Sequence, residues 1–328
     1  METSNIRFVW FNGEFVPESE ARVSIYDSAL MFGDMVFEMT RSFNKVQFKL
    51  REHLERLYAS IKYVHIPLEM PLAEMERHVY ETIEANEPAF AADDEHRVMI
   101  NVSRGILSIY QDIVGIPKGP NVIIADFPLR WTVAGMGELY ERGINAVIPS
   151  QRAIPASLLE PKVKNRSRLH YLMANIEVSK YTGNNNWALL LDPDGFIAEG
   201  TGDNFFIVKD GVFITPEPRN ILRGISRAYI FELADKLELP WAEKNIEIYD
   251  VVTADEAFMT GTPFCLLPVI SINSITIGQG KMGPLTRRLL ETWSAQVGVD
   301  IPGQIKKWDA EPRGQKPEGP SPYSFKMK

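Results

Sequence analysis

The chain has 328 residues, of which 45% are hydrophobic, and it carries a formal net charge of −8. This length allows one large packed domain or two of ordinary size, and the acidic balance argues against a nucleic-acid or anionic-membrane surface. The single cysteine, Cys265, excludes an internal disulfide and a cysteine-rich metal site, and the scattered histidines predict no metal centre. We expect neither a membrane span nor a signal peptide, because the sequence has no apolar run of about 18 residues and no basic start before an apolar stretch. These features predict a cytoplasmic protein.

The first half of the sequence alternates hairpin and helix patterns, which indicates an α+β fold. The predicted elements are a hairpin over 7–16 that turns at Asn12-Gly13, a hairpin over 35–50 that turns at Asn44-Lys45, helices over 51–64 and 72–87, and strands over 96–105 and 121–129.

The second half continues with the same mixture of elements. Its predicted elements are a strand over 144–154, a helix over 166–183, a hairpin over 187–200, strands over 197–216 and 256–272, and helices over 224–239 and 283–298. We predict an N-terminal α+β domain over 1–127, a linker over 128–136, a C-terminal domain over 137–301 and a surface tail over 302–328.

Several polar residues occur where anions bind in proteins. In "LRGISR", Ile225 and Ser226 open a helix whose free N–H groups attract an anion, although an ordinary helix cap has the same pattern. Thr262 in "MTGTP" fits either a phosphate cradle or a simple turn, and Arg56 fits either an anion site or a solvated helix face. Glu199 in "IAEGTGDN" is either a solvated acid in a turn or a carboxylate directed at a ligand.

Two lysines in "EPKVKNRSRLHY", Lys162 and Lys164, precede a predicted helix. A lysine amine forms an imine with an aldehyde, and pyridoxal phosphate is held by such a lysine, a phosphate cup and an acid beside its pyridine nitrogen. The residues above could supply all three parts. Each part taken alone is common in ordinary turns and caps.

Longer motifs are more specific. "EGTGDNFFIVKDGVFITP" followed by "ILRGISRAYIFELADKLEL", the block "ALMFGDMVFEMTRSFNKVQFKLREHLERLYASIK" and the block "GTPFCLLPVISINSITIGQGKMGPLTRRL" occur in this order. Together they resemble the class IV, fold-type IV, pyridoxal-phosphate aminotransferases over nearly the whole chain. The resemblance implies an α+β fold of two α/β domains with the cofactor site between them. It also implies pyridoxal 5′-phosphate as cofactor, a small amino donor and an oxo-acid acceptor as substrates, and a homodimer or higher homo-oligomer.

The resemblance also implies roles for individual residues. Lys164 matches the imine lysine, with Lys162 as the second choice, and Glu199 matches the acid on the pyridine nitrogen. The phosphate ligands implied are Arg56, Ile225, Ser226 and Thr262. In this family the lysine, once displaced by the amino donor, moves a proton at the substrate Cα, and an oxo acid reverses the steps in ping-pong fashion.

Substrate choice is implied less fully. Phe37 and Arg41 in "VFEMTR" are similar to the branched-chain type, but the Tyr-x-Arg pair of that type is replaced by Arg97 and Met99. Arg97 either reaches into the site or lies exposed at the end of a strand. The loop over 105–115 has no Arg or His of the D-amino-acid type, and Pro263 would reshape the pocket beside the phosphate cup.

We therefore expect transfer from a hydrophobic, branched-chain-like amino acid to 2-oxoglutarate. An (R)-amine or D-amino-acid transaminase, or a lyase of the aminodeoxychorismate type, is the alternative.

Overall fold

The computed structural model describes residues 6–110, 112, 113, 115, 118–183 and 185–311. The chain divides into two compact units, of which the first takes the residues up to Trp131 together with Val163–Arg168. The second takes Thr132–Lys162 and the residues from Leu169 onward. The chain therefore returns to the first unit for six residues, between two segments that belong to the second unit. The domain limits that we derived from the sequence stay a prediction.

The first unit is an antiparallel sheet with helices. Its elements are strands β1 (Phe8–Phe11), β2 (Glu14–Pro17), β3 (Met35–Met39), β4 (Ser42–Phe43), β5 (Val46–Gln47), β6 (His96–Ser103) and β7 (Asn121–Pro128), and helices α1 (Ser28–Phe32), α2 (Leu50–Tyr63) and α3 (Leu72–Asn86). Among the described residues, five of these strands form one sheet in the order β2-β1-β7-β6-β3, and β4 pairs with β5. Short 3-10 turns occur at Glu87–Ala89 and Ser108–Tyr110.

Side-chain alternation gives this sheet two different faces. Val36, Val98 and Ile100 point to the side on which α2 and α3 pack, where they join Leu54 and other apolar residues in a buried cluster. Successive residues of a strand point to opposite faces, so Phe37, Met99 and Asn101 lie on the other side. Removing the helix-facing side chains from water is the main source of stability for such a layer.

The hairpin predicted over 7–16 is confirmed by the pairing of β1 with β2. Asn12 and Gly13 both have positive φ, 49° and 102°, as a two-residue hairpin turn requires. The hairpin predicted over 35–50 is wrong in its extent. Only β4 and β5 close at Asn44-Lys45, whereas β3 pairs along its whole length with the longer strand β6.

Helix α4 (Leu129–Thr132) lies at the division between the units. The second unit continues with helices α5 (Leu139–Arg142), α6 (Leu169–Val178), α7 (Ile225–Lys236), α8 (Ile248–Val252), α9 (Pro284–Val297) and α10 (Ile301–Ala310). Its strands are β8 (Ile144–Val147), β9 (Asn186–Leu191), β10 (Ile197–Gly200), β11 (Asn204–Lys209), β12 (Val212–Pro216), β13 (Trp241–Lys244), β14 (Glu256–Gly261), β15 (Cys265–Ile272) and β16 (Ile275–Thr276).

The strands of the second unit close into a ring. The order β10-β9-β8-β15-β14-β11 returns to its start because β10 also pairs with β11. Strands β12 and β13 extend from β11, and β16 pairs with β15. The closure places β10, which carries Glu199, between β9 and β11.

Two predicted elements of the second unit are corrected. The helix expected over 166–183 begins only at Leu169, because Lys164, Asn165 and Arg166 pair with β3 in the first unit instead. The chain from Ile301 to Ala310 is helix α10 rather than a surface tail, and its Ile305 and Trp308 are buried. The remainder of the predicted tail, 312–328, lies outside the described residues. None of the helices described is long and apolar enough to cross a membrane.

Candidate active site

The phosphate-binding candidate of the first unit, Arg56, is part of a buried ion-pair network. Glu38 on β3 points to the helix side of the sheet and accepts hydrogen bonds from Arg56 Nε (2.6 Å) and Nη2 (2.8 Å) on α2. His53 Nδ1, also on α2, lies 2.7 Å from Glu38 Oε2. Burial alone would raise the pKa of Glu38, but Arg56 and His53 hold that pKa well below its usual range. Burial lowers the pKa of His53, against the raising effect of Glu38.

This network was not visible in the sequence beyond Arg56 itself. Glu38 lies on a strand, and a carboxylate within "VFEM" could as well have been exposed. The contact orients the Arg56 guanidinium through two of its nitrogen atoms, so Glu38 is a positioning residue for it.

The imine-lysine candidate, Lys164, lies on the extended segment beside β3. The Phe37 N–H donates to the Lys164 carbonyl at 2.9 Å, and the Lys164 N–H donates to Ser60 Oγ at 3.4 Å. The Lys164 amine lies 4.8 Å from the centroid of the Phe37 ring. The structure therefore brings together two of the residues that the sequence analysis placed in the site.

The alternative lysine has different surroundings. Lys162 belongs to the second unit, where its Nζ lies 2.5 Å from Glu160 Oε1 and donates to the Arg219 carbonyl at 3.1 Å. The Lys162 amine is therefore engaged in structural contacts.

The acid candidate, Glu199, is 4% exposed and lies on β10. Its Oε1 accepts a hydrogen bond from the Tyr171 hydroxyl of α6 at 2.8 Å. Its Oε2 accepts from Asn204 Nδ2 and from the Leu222 N–H, both at 3.0 Å. These hydrogen bonds fix the orientation of the carboxylate. The interpretation of Glu199 as a solvated turn acid is therefore wrong.

Gly200, next to Glu199, lies at the start of a tight turn. A Cβ on Gly200 would lie 2.0 Å from Asp203 Oδ1, so a larger residue in the turn between β10 and β11 would require the Asp203 side chain to move. The same turn sets Asn204 directly opposite Glu199 in the strand pairing. Neither Tyr171 nor Asn204 was predicted, and for Asn204 the signal was available in "EGTGDN" as a hairpin partner of Glu199.

The second unit also carries a helix N-terminus suited to an anion. Helix α7 begins at Ile225 after Gly224, which provides no side-chain cap, and its first turn has no acidic residue. Ser226 is buried within that turn. The first N–H groups of a helix lack partners within the helix and attract negative charge. Asn204 lies against this terminus as well, since a Cβ on Gly224 would lie 2.1 Å from Asn204 Oδ1.

Thr262 and Pro263 lie in the turn that joins β14 to β15, and both are half-buried. The neighbouring Thr260 hydroxyl donates to the Cys265 carbonyl at 2.6 Å, which closes the turn. Cys265 itself is fully buried.

The two arginines considered for substrate binding are both buried. Arg41 is 1% exposed, with Nε donating to the Ser42 carbonyl at 3.1 Å and its guanidinium carbon 3.7 Å from the Phe43 ring centroid. Arg97 is 6% exposed, and its Nη2 lies 3.7 Å from Met39 Sδ. Arg97 is therefore not the exposed strand-end arginine that the sequence left open.

Each unit presents chemical groups of the kind that pyridoxal phosphate requires. The first unit presents an amine beside an aromatic ring, together with an oriented guanidinium. The second presents a buried carboxylate and an uncapped helix N-terminus, tied to each other through Asn204. Within the described residues, no group of three His, Cys, Asp or Glu side chains could hold a metal ion.

Comparisons with known proteins agree on one family. The amino-transferase class IV family matches residues 35–272. The branched-chain-amino-acid aminotransferase of Escherichia coli is 33% identical over 301 residues, which cover 89% of this chain and 94% of that protein. A crystal structure of the E. coli branched-chain amino acid aminotransferase, 30% identical, superposes with a TM-score of 0.78 and covers 90% of this chain and 94% of its own.

The Thermobaculum terrenum branched-chain amino acid aminotransferase, whose structure is in its pyridoxal-phosphate form, is 26% identical with a TM-score of 0.76. It covers 93% of this chain and 97% of its own. These solved neighbours have the fold-type IV architecture, so the expected fold class is confirmed. The chain belongs to the class IV aminotransferases and is a pyridoxal-phosphate-dependent aminotransferase.

Proposed function

We propose that the protein transfers an amino group from a hydrophobic, branched-chain-like amino acid to 2-oxoglutarate by a ping-pong mechanism. The relatives compared above are named for branched-chain amino acids, which supports this donor class. An apolar substrate also suits the face of the sheet beside the Lys164 amine. Phe37 borders that amine, and Met39 and Met99 lie directly opposite each other in the strand pairing on the same face.

We assign six residues to the cofactor. Lys164 binds it through its amine, Glu199 lies at the pyridine nitrogen, and the phosphate ligands are Arg56, Ile225, Ser226 and Thr262. When bound, pyridoxal phosphate supplies an aldehyde that exchanges amines and a ring that withdraws electrons from the substrate Cα. Phe37, Arg41, Arg97 and Pro263 are assigned to the substrate.

The observation that carries the assignment is the environment of Glu199. A carboxylate with 4% exposure that accepts hydrogen bonds from a hydroxyl, an amide and a backbone N–H is held in one orientation. Such a group stabilises a positive charge on the pyridine nitrogen, and that charge strengthens the withdrawal of electrons.

Lys164 then carries the proton. With pyridoxal phosphate bound, the Lys164 amine would be the base that moves a proton at the substrate Cα. The backbone of Lys164 is fixed by hydrogen bonds with Phe37 and Ser60, so only the side chain needs to move. Fixing the backbone keeps the amine close to the reacting atoms throughout the cycle.

Borohydride reduction followed by peptide mapping tests the lysine assignment. We expect the cofactor to be fixed on Lys164, and Lys164→Ala to lower the transamination rate by about 10³-fold or more. Lys162→Ala is the matched control and should keep a near-normal rate, because Lys162 contacts Glu160 and Arg219. A label found on Lys162 alone would overturn the assignment.

A donor panel tests the substrate. L- and D-amino acids and (R)- and (S)-amines, each with and without 2-oxoglutarate, should give the highest kcat/KM with branched-chain L-amino acids and only in the presence of the acceptor. For the ping-pong mechanism we expect parallel lines in double-reciprocal plots of initial velocity against donor concentration at several fixed concentrations of 2-oxoglutarate. Preference for an (R)-amine or a D-amino acid, or turnover without acceptor, would replace this function by one of the alternatives.

We also propose that the protein is a cytoplasmic homodimer or higher homo-oligomer. Sedimentation at several protein concentrations tests the assembly state, and a sedimenting species with the mass of one chain would contradict it.

A further inference from the structure

An arginine that the proposed mechanism does not use lies next to the reactive lysine. Arg166 follows Lys164 by two residues on the extended segment that pairs with β3, where the Arg166 N–H donates to the Met35 carbonyl at 2.8 Å. Residues two apart on an extended chain point to the same side. Accordingly, the Arg166 guanidinium carbon lies 3.7 Å and the Lys164 amine 4.8 Å from the centroid of the same Phe37 ring.

The guanidinium of Arg166 is held in one orientation. Its Nε and Nη2 donate to Asn101 Oδ1 at 3.0 and 2.8 Å, and Nη2 lies 3.1 Å from Met99 Sδ. The Phe37 ring supports its flat face. A guanidinium fixed in this way loses little rotational freedom when it binds a ligand, as is usual for arginines that recognise carboxylates.

The positive charge on this face is concentrated. Besides Arg166 and Lys164, the Arg168 guanidinium carbon lies 5.6 Å from the Phe37 ring centroid. All three cationic side chains are half-buried rather than fully solvated. Such a concentration of positive charge attracts anions, and a half-buried position strengthens the attraction relative to open water.

We infer that Arg166 binds a carboxylate of the amino-acid and oxo-acid substrates, with Asn101 as its positioning residue. This inference rests on the proposed function and narrows it, because the site then selects substrates that bear a carboxylate over simple amines. In an amino acid, the carboxylate is attached to the carbon at which Lys164 acts. A guanidinium beside the lysine is therefore well placed to hold it.

The position of Met99 is consistent with this role. Strand β6 carries Met99 at the position that matches the arginine of the Tyr-x-Arg pair, and the Arg166 guanidinium contacts the Met99 sulfur. Strand β6 has no positive charge at position 99, and Arg166 on the segment beside β3 supplies one next to it. Arg97, two residues earlier on the same strand, contacts Met39 instead.

Binding of two matched compounds to the holoenzyme tests the inference without turnover. The probes are 4-methylpentanoate and its amide, which differ in charge but hardly in shape, and calorimetric titration measures their dissociation constants. Wild-type protein should bind the carboxylate at least 10-fold more tightly than the amide. Arg166→Gln should abolish that preference and leave amide binding unchanged, and Arg166→Lys should keep part of it.

Arg168→Gln is the charge-matched control, and it should change carboxylate binding less than threefold. Loss of carboxylate and amide binding together in Arg166→Gln would indicate a structural role and overturn the inference. Unchanged binding of both 4-methylpentanoate and pentanedioate in that variant would overturn it as well. Pentanedioate serves as a further probe: a loss confined to this dicarboxylate would assign Arg166 to the distal carboxylate, and a loss with both acids would assign it to the α-carboxylate.

Kinetics give an independent readout. Arg166→Gln should raise KM for leucine at least 10-fold, while the rate of cofactor amination by 3-methylbutylamine, which lacks the carboxylate, stays within twofold of wild type. An equal fall with both donors would contradict carboxylate recognition. If the wild-type protein bound carboxylates but transaminated no amino acid, the proposed function would fail and the carboxylate site would stand.

Discussion

Two buried carboxylates, one in each unit, are stabilised by opposite means. Glu38 forms an ion pair with the cationic Arg56 and a hydrogen bond with His53, so its negative charge is balanced within the protein. Glu199 accepts hydrogen bonds from a tyrosine hydroxyl, a side-chain amide and a backbone N–H, which are neutral donors, and it also interacts electrostatically with the cationic Arg227. Neutral donors stabilise a negative charge without cancelling it. The difference separates a carboxylate that orients another residue from one suited to a cationic ligand group.

Neutralising Glu38 should therefore damage the fold more than any other single change proposed for these two carboxylates. Glu38→Gln leaves Arg56 beside a neutral amide and removes an acceptor from His53, which should lower the free energy of unfolding by about 3–5 kcal/mol. Urea denaturation followed by circular dichroism measures the change. Glu52→Gln on α2, the helix that carries Arg56, is the control, and the partly exposed pair of Glu52 with Lys49 should contribute less than about 1 kcal/mol.

A stability loss for Glu38→Gln no larger than that for Glu52→Gln would show that the network contributes nothing measurable. Replacing Glu38 and Arg56 together, by Gln and Met, should recover part of the loss, because no unpaired charge then remains in the core.

The same carboxylate should govern acid sensitivity. The pKa of Glu38 is depressed in the folded protein, so the stability it contributes is fully present above its unfolded pKa, about 4.3, and is lost as the pH falls below that value. The free energy of unfolding should therefore decline below about pH 4.3 in the wild type and decline less steeply in Glu38→Gln. Denaturation curves at a series of pH values measure both slopes, and equal slopes would contradict the assignment.

Neutralising Glu199 should affect the catalytic rate strongly and the stability of the fold only slightly. Glu199→Gln keeps an oxygen for Asn204 and the Leu222 N–H, and its amide can donate to the Tyr171 hydroxyl, so stability should change by about 1 kcal/mol or less. The rate should fall about 10²-fold, because the charge that stabilises a protonated pyridine nitrogen is lost. Measuring kcat and urea denaturation on the same preparation separates the two effects. A large stability loss with little change in kcat would make Glu199 a structural residue like Glu38.

The sequence predicted this contrast only in part. Glu199 could be found because glycines and a hairpin turn surround it, and Arg56 because a motif contains it. Glu38 was missed because strand alternation does not reveal which face carries a charged partner until the helix packing is known. Arg166 was missed for a related reason: the helix predicted from 166 hides an extended segment that is paired with β3 by long-range hydrogen bonds.

Most elements were nevertheless predictable, since their periodicity and turn residues are local signals. Helices α2 and α3 and the hairpin at Asn12-Gly13 lie within a residue or so of the expected positions. Helix α10 was missed because a proline, a glycine and two lysines in "IPGQIKKWDA" mask the two buried residues, Ile305 and Trp308, that anchor it.

Replacing Tyr171 should have the smallest effect of these changes, because it removes one neutral hydrogen-bond donor from Glu199 and leaves the carboxylate charge in place. Tyr171→Phe deletes the hydroxyl that donates to Oε1 at 2.8 Å and keeps the ring that packs on the cluster around Ala174 and Leu190. A hydrogen bond to a charged group contributes about 1.5–3 kcal/mol, and only part of this reaches kcat because the carboxylate and its other donors remain, so kcat should fall about three- to tenfold.

The control is Tyr181→Phe, because Tyr181 is 49% exposed and follows the end of α6. This variant should leave kcat within experimental error of wild type. A fall in Tyr171→Phe as large as that in Glu199→Gln would mean that the hydroxyl, not the carboxylate charge, is the active group at the ring. No fall at all would mean that Asn204 and the Leu222 N–H suffice to hold the carboxylate, since they bind its other oxygen.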